Sequence, residues 1–316
     1  MTVDRIADTS ALERLAPAWN ELVAASDADG LFSTWEWLAT WWRHLGAGRR
    51  LRVCAVRSRG ELIAIAPLAL RPARLDRHPA FACLELLGAG EVGSDYLDVI
   101  VRRGREAEAI PALVDALAGE THVLSLGRLR TDACSVAALA TQLAGRGWDV
   151  VERPDERSPF IAVGGRSFDD YLQGLGSSHR YAFRRRLRGL ERAFSIELLR
   201  VRTEAERGPA LATLIELHAR RWDGRGRDEA FASPLLVAFH DEVTRLALAR
   251  GWLRLYVLRL DGRPAAALYG FRYRDVFHYY QAGFDPAFAP HSVGLVMLGL
   301  VVRDAIGEGV TEIDLG

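Results

Sequence analysis

The fold is decided by the C-terminal stretch from Gly251 to Gly316, which reads GWLRLYVLRLDGRPAAALYGFRYRDVFHYYQAGFDPAFAPHSVGLVMLGLVVRDAIGEGVTEIDLG. Its apolar and aromatic runs, separated by short turns, predict a three-stranded meander at 252–260, 265–273 and 276–284. A loop rich in proline and histidine follows at 285–294 and leads into a predicted helix that ends near residue 306. A last strand is predicted at 311–315.

The loop at 285–294 has a chemical consequence. The first backbone N–H groups of a helix have no partner within the helix, and its N-terminus carries partial positive charge. A helix that begins directly after a β-meander therefore exposes amides that bind anions such as the pyrophosphate of a cofactor. The sequence predicts an anion site at the start of this helix.

The remaining sequence repeats a similar order of elements, and its 316 residues suit two domains. Helices are predicted at 10–25, 105–118, 135–145, 168–175, 179–193, 204–221 and 234–249. Further strands are predicted at 51–57, 62–70, 81–87, 96–101, 122–126, 148–152 and 196–201. The turn-rich segment 153–159 marks the best boundary, which gives domains at 1–155 and 156–316. We expect a duplicated α/β unit with mixed sheets covered by helices, an α+β arrangement.

Composition excludes several kinds of protein. The chain is 49% hydrophobic and 26% charged, which is ordinary for a soluble globular protein, and its formal net charge of zero argues against general nucleic-acid binding. It contains no lysine, so it cannot hold pyridoxal phosphate as a Schiff base or form a P-loop. No group of residues has metal-ligand spacing, and no apolar run approaches the roughly 18 residues of a membrane span. The N-terminus does not resemble a signal peptide, and we expect a cytoplasmic protein.

Arginine is concentrated in one predicted helix, whose basic residues are Arg180, Arg184, Arg185, Arg186, Arg188 and Arg192. The i, i+4 spacing places Arg180, Arg184 and Arg188 on one face. Such a face can be a solvated surface. Alternatively, it can bind phosphate, pyrophosphate or a negatively charged polymer, because guanidinium groups grip phosphate oxygens in pairs.

Two aromatic features also allow two interpretations. His218 and Trp222 lie one helical turn apart and can line an acceptor pocket, with Trp222 stacking on a sugar or an aromatic group; they can equally be core residues. A cluster of tryptophans at 35–42 favours core packing, although exposed aromatic side chains would suit a carbohydrate partner.

Several short motifs occur in a fixed order over about 220 residues: GSDYLD at 93–98, the arginine-rich segment 177–192, LHARRW at 217–222, LDGRPAAA at 260–267, YYQAGFDP at 279–286 and SVG at 292–294. With the order of elements, they resemble the GNAT acyltransferase superfamily. More narrowly, the chain resembles the cellulose-biosynthesis-associated (CelD/BcsL-like) acetyltransferase family. That family is related to Fem-type peptidyltransferases, which have tandem GNAT-like domains.

The resemblance implies direct transfer of an acyl group from acetyl-CoA or another acyl-CoA to a small amine or amino sugar. The loop amides would hold the pyrophosphate at Ala289, Ser292 and Gly294, of which only Gly294 fits the superfamily pattern fully. Strands would splay apart near 281–284 and 314–316. The implied cofactor-binding residues are Gln281, Gly283, Phe284, Ser292, Val293 and Gly294. Candidate acid or base groups are Tyr280, His291, Asp314 and, from the first half, Asp95. The implied substrate-binding residues are Tyr96, Arg180, Arg184, His218 and Trp222.

Two other functions remain open. A Fem-type enzyme would take an aminoacyl group from tRNA, which the arginine-rich helix favours. A non-catalytic GNAT scaffold would assist polysaccharide biosynthesis. A full GNAT domain continues past its fifth strand with a helix and two more strands, so the resemblance also implies a second domain that is truncated after that strand. The acceptor side would then come from the first half, or the activity would be weakened.

Overall fold

The chain forms two compact units, Met1–Glu156 and Arg157–Gly316. A computed structural model describes residues 1–72, 82–90, 92–119, 123–153, 157–222 and 230–316. Within these ranges, no helix combines the length and the apolar character that spanning a membrane requires.

The described residues of the N-terminal unit form a mixed α/β structure with two four-stranded sheets. Its strands are β1 (Thr2–Ile6), β2 (Arg50–Leu51), β3 (Val53–Ser58), β4 (Glu61–Ala66), β5 (Leu68–Arg71), β6 (Cys83–Leu86), β7 (Ile100–Val101) and β8 (Val123–Ser125). Its helices are α1 (Thr9–Glu13), α2 (Ala16–Ala24), α3 (Trp35–Leu45), α4 (Glu106–Leu117) and α5 (Cys134–Ala144). The strand orders are β1-β3-β4-β7 and β2-β5-β6-β8.

Local chemistry explains where this unit departs from the sequence prediction. The strand predicted at 62–70 is two strands in different sheets, because Pro67 lies between them and has no N–H group for a ladder. The helix predicted at 10–25 is interrupted after Glu13 and resumes with a proline in the first turn of α2. The strand predicted at 148–152 is wrong, since these residues belong to no sheet. The strand predicted at 81–87 begins at a residue outside the described ranges, as does the strand predicted at 122–126.

The tryptophan cluster of α3 is largely core. Trp37 and Trp41 are fully buried, and the indole Nε1 of Trp37 donates to Ser94 Oγ at 2.8 Å. Trp35 and Trp42 are half-buried. Burial of the two central indoles supports the packing interpretation.

In the C-terminal unit, the residues that the structure describes form one six-stranded sheet covered by helices. Its strands are β9 (Phe160–Ala162), β10 (Ile196–Arg200), β11 (Leu253–Leu260), β12 (Arg263–Tyr273), β13 (Val276–Phe284) and β14 (Glu312–Asp314). Its helices are α6 (Phe168–Gly174), α7 (Ser177–Ala193), α8 (Glu204–Trp222), α9 (Pro234–Ala249) and α10 (Val293–Gly307). These bounds confirm the predicted meander and the helix that follows it.

The sheet has the order β10-β11-β12-β13-β14-β9. All neighbours are antiparallel except β13 and β14, which are parallel. The sequence did not predict β9, which pairs with β14 from Ala162↔Glu312 to Phe160↔Asp314. The sheet therefore continues past β14 with a strand that comes from the N-terminal side of the same unit. Helices α6 and α7 follow β9 in the chain, and both pack against α10.

The two faces of this sheet carry different helices. Apolar side chains of α10 share a core with Leu258, Leu268 and Phe277, whereas the neighbouring residue Tyr269 contacts His240 of α9. Successive residues of a strand point to opposite faces, so α10 covers one face, and α8 and α9 cover the other. On the α10 face, Gly299 allows a close approach of α7, because a Cβ there would lie 2.1 Å from Cε2 of Phe183.

A partly buried cluster of charges fastens the C-terminal end of α10 to the sheet. Arg200 on β10 pairs with both Asp304 and Glu308, and Arg254 on β11 donates to Glu308 at 2.7 Å. The hydroxyl of Tyr256 donates to Asp304 at 2.6 Å. Burial alone would raise the pKa of Glu308, but the hydrogen bonds and charges of Arg254 and Arg200 lower it below its ordinary value.

We expect Glu308→Gln to lower the free energy of unfolding by about 1–3 kcal/mol, because two guanidinium groups lose a charged partner. The lowered pKa means that Glu308 stabilises the native state above pH 4.5, and that this contribution is lost as the pH falls through the lower folded pKa. Urea unfolding across acidic and neutral pH measures both effects. The exposed Glu191→Gln is the control, and equal stability of the two variants at neutral pH would contradict the prediction.

Candidate functional site

Strands β13 and β14 part from one another after a short pairing. They pair only from Val276↔Glu312 to His278↔Asp314, after which β13 continues to Phe284 beside β12 alone. The next N–H group after β14, that of Leu315, donates instead to the carbonyl of Pro159 on the β9 side at 3.0 Å. In the part of the chain that the structure describes, the far half of β13 therefore has no strand on its β14 side, and the parting begins at His278, three residues before the predicted 281–284.

A β-bulge changes the direction of side chains at this opening. Tyr269 pairs with Gln281 and Gly270 pairs with Tyr279, so Tyr280 is an extra residue in β13. Gly270 makes the bulge possible, because a Cβ there would lie 2.2 Å from the carbonyl oxygen of His278. The ring of Tyr280 lies 5.1 Å from that of Tyr269 and 5.7 Å from that of His240, on the face covered by α8 and α9.

A histidine that the sequence analysis did not select lies where the two strands part. Nδ1 of His278 is 3.0 Å from Oδ2 of Asp314, and both side chains are buried. The signal was present in the sequence, since His278 precedes Tyr280 by two positions and so shares its face of the strand. Its partner depends on the parallel register of β13 and β14, which the sequence did not reveal.

An aromatic cluster extends from this opening to α8. The ring of Phe231 lies 5.1 Å from His218 and 4.9 Å from His240, and the ring of Trp222 lies 6.2 Å from His218. Through these contacts the structure brings His218, Trp222 and Tyr280 into one cluster. His218 is buried, whereas Trp222 is 36% exposed.

His240 is a structural member of that cluster. It is almost fully buried, and its Nδ1 is 2.8 Å from the hydroxyl of Tyr269. Burial lowers the pKa of His240 to about 3, so the ring is neutral at ordinary pH. A neutral imidazole held in this way orders the aromatic side chains around it.

Gly283 lies directly under α8. A Cβ on Gly283 would lie 2.3 Å from the backbone nitrogen of His218 and 2.5 Å from the carbonyl carbon of Leu217. The helix can approach β13 only because this residue has no side chain. Its predicted role in binding the cofactor through its amide stays a prediction.

The start of α10 has no side-chain N-cap. Ser292 occupies the N-cap position in the left-handed region, with φ of 55°, and its side chain makes no capping hydrogen bond. The amides of the first turn, which include those of Val293 and Gly294, therefore lack the side-chain acceptor that usually covers a helix start. Phe284 lies beside Gly294, since a Cβ there would be 3.7 Å from Cδ1 of that ring.

The loop before α10 is held from both sides. Asp285 accepts from the amide of Ala287 at 2.9 Å and pairs with Arg220 of α8 at 3.1 Å. From α7, Arg186 donates to the carbonyl of Pro290 at 3.2 Å. The ring of His291 packs edge-on against Phe194, which lies with the α10 core, so this candidate base sits apart from the Tyr280 cluster.

The arginine-rich helix is α7, and much of its basic face is open to solvent. Its exposed arginines are Arg184, Arg185, Arg188 and Arg192. Arg184 pairs with the exposed Asp169 at 3.4 Å, and half-buried Arg180 donates to the carbonyl of Gln173 at 3.2 Å. Exposed ion pairs of this kind are weak, so these groups stay available to an anion.

Asp95 and Tyr96 belong to the N-terminal unit. Arg128 lies 3.5 Å from the carboxylate of Asp95, and the guanidinium of Arg130 lies over the ring of Tyr96. Tyr96 adopts a left-handed backbone with φ of 57°. Nearby, burial raises the pKa of Asp98 to about 7. Among the described residues, no group of three or more His, Cys, Asp and Glu side chains is arranged to hold a metal ion.

We expect Gly283→Ala to lower the free energy of unfolding by about 1–3 kcal/mol or more, because α8 must move away from β13 to admit the methyl group. Thermal and urea unfolding measure the change. Gly307→Ala is the matched control, since a Cβ at this position of α10 meets no atom within 4 Å and alanine favours the helix. Equal stability of Gly283→Ala and the wild type would contradict the close approach of α8.

Comparisons with known proteins support the fold described above. Residues 177–316 match a family model described as an acetyltransferase (GNAT) domain. A search of curated proteins found no match. Among solved structures, the chain is similar to FemX, with a TM-score of 0.64, 14% sequence identity, and coverage of 100% of this chain and 88% of FemX.

Two further solved structures are similar. A protein of unknown function from Bacteroides thetaiotaomicron has a TM-score of 0.55 and 13% identity, covering 99% of this chain and 90% of that one. A tandem GNAT protein from the clavulanic acid biosynthesis pathway has a TM-score of 0.49 and 13% identity, covering 99% and 89%. At these identities the likeness to FemX and to the Bacteroides thetaiotaomicron protein shows the fold alone. The chain is a mixed α/β protein with a GNAT-like fold, and its part from α7 to β14 is similar in sequence to acetyltransferase (GNAT) domains.

Proposed function

We propose that the chain is an acyl-CoA-dependent N-acyltransferase, with acetyl-CoA as the first donor to test, acting on a small amine or amino sugar. The observation that carries this proposal is the open edge of β13, which leads directly to the uncovered first turn of α10. An extended ligand with amide groups and an anionic end fits such a surface, because strand edges pair with amides and helix starts bind phosphates.

On the donor side, the amides of Val293 and Gly294 would hold the pyrophosphate, with the hydroxyl of Ser292 free to add a hydrogen bond. The backbone of β13 from Gln281 to Phe284 would pair with the amides of the pantetheine arm once Arg221 releases the carbonyl of Ala282, to which it donates at 3.3 Å. When bound, the thioester supplies the activated acyl group. The protein supplies binding and orientation, together with backbone N–H groups that polarise the acyl carbonyl.

On the acceptor side, the cluster of Tyr280, His218 and Trp222 offers aromatic faces on the opposite side of the sheet from α10. Half-exposed Trp222 is suited to stack on a sugar or apolar ring. Tyr280 and Asp314 stand on this face as candidate acid or base groups, whereas His291 stands on the other. We propose a small amine as the acceptor. Amino sugars are the first class to test, because Trp222 can stack on a sugar ring.

The wider assignments belong to the same proposal. We take the two compact units as two GNAT-like domains, and the roles of Asp95 and Tyr96 stay predictions from the sequence resemblance. Membership of the CelD/BcsL-like family and a role in polysaccharide biosynthesis rest on the sequence resemblance, and the cytoplasmic location is a prediction from the residue pattern of the sequence. Neither a metal nor pyridoxal phosphate takes part in the proposed reaction.

Gly294 provides the test of donor binding. We expect Gly294→Glu to weaken acyl-CoA binding at least about tenfold, because its carboxylate lies among the amides that would hold the pyrophosphate. The same carboxylate interacts favourably with the helix N-terminus, so we expect it to raise the free energy of unfolding by about 0.3–1 kcal/mol. Isothermal titration with acetyl-CoA and longer acyl-CoAs measures binding, and thermal unfolding confirms the fold.

The matched control is Gly294→Ala, whose methyl group meets only Phe284 at an ordinary distance. We expect this variant to bind acyl-CoA within about threefold of the wild type, since it adds no charge. If the wild type binds no acyl-CoA, the proposal fails and the non-catalytic scaffold becomes the better hypothesis.

A second candidate function is a Fem-type transferase that takes its donor from aminoacyl-tRNA. Two observations favour it: the similarity in fold to FemX over the whole chain, and the exposed arginines of α7. Exposed guanidinium groups in a helical row can follow a phosphate backbone.

For this candidate we expect tRNA affinity to fall steeply with salt. We also expect the double variant Arg184→Gln/Arg188→Gln to reduce the slope of log K against log salt by about 2, one unit for each lost phosphate contact. Filter binding at several salt concentrations gives the slope. Arg14→Gln, an exposed arginine of the N-terminal unit, is the control. Affinity that barely depends on salt would exclude this candidate.

A further inference from the structure

His278 and Asp314 form the centre of a row of side chains that crosses the sheet of the C-terminal unit. Phe271 pairs with His278, His278 with Asp314, and Asp314 with Phe160, on β12, β13, β14 and β9 in turn. Residues that pair across strands point to the same face. The row therefore lies on the face of Tyr280, at the point where β13 and β14 part.

The hydrogen bond between these two side chains determines the chemistry of the imidazole. An ionised Asp314 only accepts, so Nδ1 of His278 carries the proton of the 3.0 Å contact. The neutral ring then has its lone pair on Nε2. A carboxylate that orients a histidine in this way also stabilises the imidazolium formed when Nε2 takes up a proton.

The row reaches solvent at its β9 end. Phe160, the neighbour of Asp314 in the register, is 61% exposed, and Trp222 at the end of α8 is 36% exposed. Exposed aromatic side chains on this face of the unit give an apolar acceptor a surface on which to bind.

Other histidines of the unit are less suited to act as a base. His240 is held by Tyr269 inside the aromatic cluster and stays neutral because burial lowers its pKa to about 3. His218 is buried between Phe231 and Trp222, and His291 lies on the α10 face.

We propose that His278 is the general base of the proposed acyl transfer, and that Asp314 is a positioning residue that holds its tautomer. This inference rests on the proposed function and adds to it a residue and a role. As the amine nitrogen of the acceptor bonds to the acyl carbon, Nε2 of His278 takes a proton from that nitrogen. The bond from the acyl carbon to sulfur breaks, the sulfur leaves as a thiolate and gains a proton from water, and His278 returns its proton to water.

Several titratable groups surround this face of β13 and enter any pH profile. They are Asp314 and Glu312 on β14, His218 on α8, His240 on α9, Tyr269 on β12 and Tyr280 on β13 itself. The charged arginines of α8 near the site are engaged: Arg220 pairs with Asp285 and Glu216, and Arg221 donates to the carbonyl of Ala282. Single substitutions at His278 and Asp314 separate their contribution from these neighbours.

The first test needs neither donor nor acceptor. Nitrogen-15 NMR of the histidine side chains in the full-length protein should show His278 protonated at Nδ1 and unprotonated at Nε2 at neutral pH. A His278 that carries its proton on Nε2 instead overturns the role as a base, because that nitrogen then has no lone pair with which to accept a proton.

The second test is kinetic. His278→Asn keeps a donor near the position of Nδ1 for Asp314 but removes Nε2, so we expect kcat to fall by about 10²–10⁴-fold with little change in KM for acyl-CoA. The acidic limb of the pH profile of kcat/KM should disappear. Asp314→Asn should lower kcat and change the tautomer seen by NMR. His179→Asn, an exposed histidine at the start of α7, is the control.

The outcomes separate this inference from the function on which it rests. The acceptors in the assay are glucosamine and a series of small primary amines, with acetyl-CoA as the donor. A wild-type protein that acylates none of them overturns the proposed function and the role of His278 with it. If the wild type turns over, and His278→Asn keeps kcat within about threefold and the same pH profile, only the role of His278 as the base is overturned.

Discussion

The arrangement of the C-terminal unit depends on strand β14, which has a sheet neighbour on each side. Over Glu312–Asp314 it pairs with both β13 and β9, but the next amide, that of Leu315, donates to Pro159 on the β9 side. At this point β14 keeps its pairing with the β9 side and parts from β13. The open edge of β13, the position of the His278–Asp314 pair and the approach to α10 all follow from that choice.

Packing on both faces keeps the opening in place. Two glycines allow helices to approach closely. Gly283 lets α8 lie against β13, and Gly299 lets α7 lie against α10. At its far end, α10 is held to β10 and β11 by the charges of Arg200, Arg254 and Glu308. The start of α10, which would meet a phosphate, is therefore the uncovered end of a helix whose other end is fixed. A rigid support of this kind is what preorganised amides require.

Much of the fold could be predicted because its elements are long and strongly patterned. The bounds of α9 and β13 match the prediction, since a serine caps the helix and turns bracket the strand. The failures have particular causes. Three-residue β9 is too short for a periodic signal, and Pro67 divides a run that looks continuous. The bulge at Tyr280 needs a partner strand before it exists at all.

The candidate site was predicted less completely than the fold. Tyr280 belongs to the same aromatic cluster as His218 and Trp222, to which it is linked through His240 and Phe231, and their predicted roles stay predictions. His278 was missed because nothing in its own neighbourhood distinguishes it from a half-buried strand residue. Its partner Asp314 is 36 positions away.

By itself the sequence determined the meander, the loop and the helix that follows it. Strand and helix periods, caps and turn residues act over a few positions and can be recognised locally. It also determined that no lysine is available for chemistry. Only the tertiary structure decided where β13 leaves β14, which strand covers the far side of β14, and which histidine receives a carboxylate. Those features arise from hydrogen bonds between segments that are far apart in the chain, and no local pattern records which of these bonds form.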